Sequence, residues 1–90
     1  MRIISQNKIV DIDYEGVVVY INRIAGDKTY VFVHVPDEEF SLGAYDTFED
    51  AVFVMSLIRS TFMCNHKYFY MPEAEEVSVI RKQNEAGEQE

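Results

Sequence analysis

Cys64-Asn65-His66 sets a thiol and an imidazole two residues apart, a pairing that nucleophilic catalysis or metal binding would draw on. A thiol nucleophile also needs a stabilised thiolate, partial exposure and an oxyanion pocket. A zinc site needs three or four ligands, and the other histidine, His34, lies in an apolar β run. Cys64 therefore reads as a small hydrophobe and His34 as a hydrogen-bonded structural residue. Asp11-Ile12-Asp13-Tyr14-Glu15-Gly16 has the alternating carboxylates and bend glycine of the first half of a calcium loop. Its twelfth position holds Asn22 in place of Glu, so these carboxylates read as outward side chains of a strand. The Glu38-Glu39 pair falls in a turn, with no cleft to desolvate one carboxyl for acid–base work. No residue is assigned a catalytic, cofactor-binding or metal-binding role, and the expectation is a protein that is not an enzyme.

The elements that would position these residues begin with a helix over 46–65. Thr47 and Asp50 have the spacing of a capping box, with Asp46 as an alternative cap, and Glu49 and Asp50 place negative charge on the first turn. At helical period, Phe48, Ala51, Val52, Met55, Ile58 and Phe62 form one stripe, the expected core face. Phe53, Leu57 and Cys64 lie opposite. Three readings of that second face stand: scattered exposed residues, cover by the N-terminal hairpin or C-terminal segment, or a partner helix. We expect the partner, as a homodimer or another protein. Burying Phe53 and Leu57 from two copies yields about 6–12 kcal/mol gross, against an association cost of about 4–15 kcal/mol, so a tight dimer must also recruit strand edges or the aromatic segment after the helix.

Upstream lie strands and turns. Residues 2–5 and 8–12 read as a hairpin through Gln6-Asn7, and 16–22 as a buried strand. Ala25-Gly26-Asp27-Lys28 is a turn, followed by Thr29–Val35. In that strand Tyr30, Phe32 and His34 share one face and Val31, Val33 and Val35 the other, which makes it central or covered on its outer side. Pro36-Asp37-Glu38-Glu39 turns the chain into 40–44, which runs into the helix cap. Tyr68-Phe69-Tyr70-Met71 is a candidate short C-terminal strand, ended by Pro72. The fold class is α+β: an antiparallel meander of three to five strands with one long helix packed across a face.

Ninety residues suit one domain. The single cysteine excludes an internal disulfide, and with no secretory signal in view the expected compartment is the reducing cytoplasm. The longest uncharged runs are far shorter than the roughly 20 residues of a membrane span. Residues 1–72 carry ten acids and six bases, and residues 73–90 six acids and two bases, so half of the net charge of −8 belongs to the last stretch. We expect a domain over 1–72 and an acidic, disordered tail over 73–90, with Val77, Val79 and Ile80 solvated. The acidic balance disfavours binding to phosphate backbones.

Met1-Arg2-Ile3-Ile4-Ser5-Gln6, then Ile12-Asp13-Tyr14-Glu15, and later Tyr45-Asp46-Thr47-Phe48-Glu49-Asp50-Ala51, resemble small prophage-encoded proteins of Gram-positive bacteria, a family of unknown function. Those proteins have a strand-rich first half and a Tyr-x-Thr-x-Glu-x-Ala segment that opens a helix. The likeness covers residues 1–70 and departs at the first turn, which lacks the family's common Asp-Gly. It implies a mobile-element context and no chemistry. Leu42-Gly43-Ala44-Tyr45-Asp46-Thr47 through Ala51 is also similar to the last strand and helix start of plant ethylene-response-type DNA-binding domains. Those domains read DNA with Arg and Trp, whereas here the preceding strands offer Arg23 and Lys28 and the chain has no Trp. The resulting expectation is a non-enzymatic accessory protein of prophage type, acting by self-association or protein binding, with no cofactor and no nucleic acid. The alternative is an acidic mimic of DNA, presenting Asp11, Asp13, Glu15, Asp37, Glu38 and Glu39 to a nucleic-acid-binding protein.

Overall fold

A computed structural model describes residues 1–23 and 28–88 of the chain. In order these form β1 (Arg2–Ile4), β2 (Asp11–Asp13), a 3-10 turn (Tyr14–Gly16), β3 (Val18–Arg23), β4 (Thr29–Val35), β5 (Glu38–Tyr45), α1 (Phe48–Met63), β6 (Tyr68–Tyr70) and α2 (Ala74–Glu88). The fold is α+β, as expected. Among the described residues, however, the strands divide into two sheets, β2-β1-β6 and β3-β4-β5, and there are two helices. The segment at 68–71 does join a sheet, with β6 parallel to β1 and Ile3 opposite Phe69. The turn expected at 25–28 falls largely outside the described residues.

The two sheets meet through Gln6. Its N–H donates to the Leu42 carbonyl at 2.8 Å, and its side-chain oxygen accepts from the Ala44 N–H at 2.9 Å. Its side-chain nitrogen donates to the Pro72 carbonyl at 2.8 Å and to that of Ala44 at 3.3 Å. Sending Gln6 to β5 rules out the expected two-residue turn at Gln6-Asn7. The hairpin instead pairs Ile4 with Asp11 and Ile3 with Ile12. Lys8 takes a left-handed conformation (φ 66°) in the longer loop, which Ser5 and Asn7 brace with side-chain hydrogen bonds to Val10 and Ile9. Gly43 makes room on the other side, because a Cβ there would lie 2.8 Å from the Gln6 side chain. Next to it, a bulge in β5 shifts the register between Val31↔Gly43 and Phe32↔Ser41, so alternation breaks and Leu42 and Gly43 are both buried.

Helix α1 starts and stops as its sequence suggests. Thr47 Oγ1 accepts from the Asp50 N–H at 3.0 Å. At the other end Asn65 is left-handed (φ 62°), Asn65 N–H reaches the Phe62 carbonyl, and His66 N–H reaches that of Thr61. This is the paired closure of a Schellman motif, with Asn where Gly is commonest. The buried face differs from the expected stripe. It runs through Ala51, Val54 and Ile58, while Phe48 and Val52 are 41% and 43% exposed.

The cause is α2, which overturns the disordered tail expected from residue 73. Val77 is fully buried in the cluster of Ile3, Val31, Val33, Leu42, Tyr45, Ala51, Val54, Ile58, Phe69 and Met71. Arg81 donates to the Asp50 carboxylate at 2.6 Å, and that carboxylate is almost wholly buried. Acid-rich composition argues for disorder only while no apolar residue finds a core and no base a buried partner. Here Val77 and Arg81 do both, and Glu75 and Glu76 sit on the first turn, where the helix dipole favours them. Helix α2 packs on α1, so the ordered unit runs past the expected boundary at residue 72. No described helix is long and apolar enough to cross a membrane.

Candidate interaction surfaces

The residues considered for chemistry do not converge. Cys64 and His66 are both exposed in the loop that ends α1. His34 is exposed on β4, with Nδ1 3.6 Å from a Glu39 carboxylate oxygen, so it is not the core residue expected. Asp11 accepts from the Arg2 guanidinium at 2.8 Å, and Asp13 caps the 3-10 turn through the Glu15 N–H. These carboxylates point outward from β2 and serve local contacts. Among the described residues, no three of His, Cys, Asp and Glu gather as a metal cage.

The expected interaction face on α1 divides. Phe53 and Leu57 are half-buried and pack against the core cluster, whereas Cys64 is exposed past the last turn. Exposed apolar surface on α1 comes instead from Phe48 and Val52, two residues assigned to the core stripe from the sequence. They line a shallow groove with Glu49, Phe53, Ser56 and Arg81. Helix α2 adds exposed Val79 and Ile80.

The larger opening is on the β3-β4-β5 sheet. Pairing of Val19 with Val33 and Ile21 with Val31 sets these residues on the helix side. Val18, Tyr20 and Asn22 share the opposite face with His34, Phe32 and Tyr30. On that outer face the Tyr20 and Phe32 rings stack at 5.8 Å, and Tyr30 lies 5.9 Å from Phe32. All three are half-buried, chiefly a consequence of their own packing, and Val18 beside them is 60% exposed. Partial burial, followed by the neighbouring Glu39 carboxylate, raises the Tyr20 phenol above its ordinary pKa. The two-faced apolar pattern of β4 was legible in the sequence; the stacking partner Tyr20 could have been found from the register of 16–22 against 29–35.

The inner face is also incompletely covered. Helix α1 packs mainly over β4 and β5. Val19 and Ile21 are therefore only half-buried, and a cleft of about 520 Å³ opens between α1 and the start of β3. Val17 and Val19 line one side, Met55, Ile58 and Phe62 the other, with Tyr14 packed on Phe62 at 5.1 Å. Glu15 and Arg59 also line it.

No family model, curated protein or solved structure matches this chain.

Proposed function

We propose that this chain is a non-enzymatic accessory protein of the prophage type its first seventy residues resemble, acting in the cytoplasm by self-association or by binding another protein. The observation that carries the reading is the aromatic row Tyr20, Phe32 and Tyr30 on the outer face of β3-β4-β5, bordered by exposed Val18. Contiguous exposed apolar surface usually marks an interaction site, and Tyr and Phe supply large contact area at low entropic cost. Helix α1 supports the same reading through Phe48 and Val52 rather than through Phe53 and Leu57, which pack inward. The acidic-mimic alternative draws less support, since Asp11 and Asp13 are engaged within the chain, Glu38 and Glu39 belong to β5 with Glu39 beside His34, and of this group only Asp37 lies in the turn.

The test combines solution mass by light scattering with in-cell photocrosslinking from a reactive amino acid at position 32. The expected outcome is a specific crosslinked partner or a dimer, lost in a Phe32→Ser variant that circular dichroism shows to be folded. A monomer that crosslinks to nothing sinks the reading.

A further inference from the structure

We propose that the outer face of β3-β4-β5 receives an arginine-bearing segment of another protein, with its guanidinium on the aromatic row beside Glu39 and its apolar residues against Val18. The inference rests on the protein-binding reading above and names the chemistry of the partner.

Strand register sets this face in three rows. Val18, His34 and Glu39 form the first, Tyr20, Phe32 and Ser41 the second, and Asn22, Tyr30 and Ala44 the third. The rings fill the middle of the face, and a carboxylate stands at their border. Glu39 lies beside the Tyr20 phenol, whose pKa it helps to raise, and 3.6 Å from His34 Nδ1. It is exposed, and no lysine or arginine among the described residues pairs with it. At the same end of the sheet, Asp37 occupies the turn between β4 and β5, and Glu38 opens β5. Neither has a lysine or arginine partner among the described residues. Lys28, next to the start of β4 at the other end, is paired with Asp46. The face is therefore aromatic in the middle and negative at one end.

That combination selects the occupant. A wholly apolar segment covers Glu39 without giving it a partner, and an unpaired desolvated carboxylate is costly. An acidic segment is repelled by the same group. A guanidinium meets both parts of the face: it stacks on Tyr and Phe rings and donates to a carboxylate through a planar fork. A lysine ammonium makes the ion pair but has no plane to lay on the rings, so it fits less well. Apolar residues flanking the arginine cover Val18, which is 60% exposed.

Selection from a random library of displayed peptides, with the full chain as bait, reads the partner's chemistry directly. The expected result is enrichment of arginine next to apolar residues. Replacing that arginine by citrulline, which keeps the shape and loses the charge, should weaken binding about tenfold by fluorescence anisotropy. Glu39→Gln should weaken it about fivefold, and Glu39→Lys should turn the selection toward acidic peptides. Phe32→Ser, folded by circular dichroism, should abolish it. Recovered peptides without arginine enrichment, or indifferent to Glu39→Gln, overturn the proposal and leave the binding reading intact. So does an empty selection from a chain that crosslinks through position 32 to another protein or to its own copy. An empty selection with a monomer and no crosslink overturns both.

Discussion

The two sheets of this small protein are finished to different degrees. Around β2-β1-β6 the strands are three residues long, yet side chains tie them to the rest of the fold. Gln6 joins β5 to the Pro72 carbonyl, and Tyr45 Oη donates to the same carbonyl at 2.8 Å. Arg81 clasps α2 to α1 through Asp50. The β3-β4-β5 sheet has strands of six to eight residues and more backbone pairing. It nevertheless leaves one edge, one cleft and an aromatic face unfinished. Short strands need side-chain ties because they have few ladder bonds. Long strands hold by their own pairing and so can tolerate open surfaces. Side-chain ties are concentrated on one side of the molecule, and the open surfaces lie on the other.

That contrast predicts a gradient of mutational effects. Arg81→Ala strips the partner from a buried carboxylate, and by chemical denaturation it should cost about 3 kcal/mol. Amide exchange should locate the loss in α2; uniform destabilisation with α2 still protected would break the assignment of the clasp. Gln6→Ala removes three side-chain hydrogen bonds at the junction of the sheets. At roughly 1 kcal/mol for each, the loss should be about 3 kcal/mol.

The sharpest comparison lies within one strand. Val31→Ala empties a fully buried site and should cost about 2 kcal/mol. Its neighbour, Phe32→Ala, deletes a larger side chain on the outer face and should cost about 1 kcal/mol, while abolishing association. If the Phe32 variant proves the less stable, the outer face is a second core and not a recognition surface.

Tyr45→Phe should cost about 1 kcal/mol at neutral pH for the lost bond to Pro72. Burial raises the Tyr45 phenol well above its ordinary 10.0, with Glu73 and Glu76 adding to the shift and the Gln6 hydrogen bond opposing it. A pKa higher in the folded than in the unfolded chain means that folding favours the protonated phenol. The associated stability is fully present below pH 10.0 and is lost as pH rises beyond that value. Denaturation midpoints should therefore fall in alkali for the wild type, and less steeply for Tyr45→Phe.

Much of this arrangement was legible locally. The Thr47 cap, the α1 boundaries, the double-faced β4 and the strand at 68–71 follow from nearest-neighbour chemistry, and the structure has all of them. The position of the buried stripe on α1 was not legible. Apolar residues surround most of that helix, so periodicity marks a wide arc without saying which part faces inward. Packing by α2 turned the arc toward Val54 and brought Phe53 and Leu57 into partial burial, leaving Phe48 and Val52 outside. The candidate surface moved for the same reason.

The sequence by itself determined the α+β class, the helix with its N-terminal cap, and the acidic balance. Each rests on contacts within a few residues or on composition alone. Only tertiary structure decided the split into two sheets, the ordering of α2, and the open edge at β3. Those depend on meetings between residues far apart in the chain: Gln6 with Ala44 and Pro72, Ile3 with Phe69, and Asp50 with Arg81. Their free energy appears only once the chain has closed the loops that bring them together.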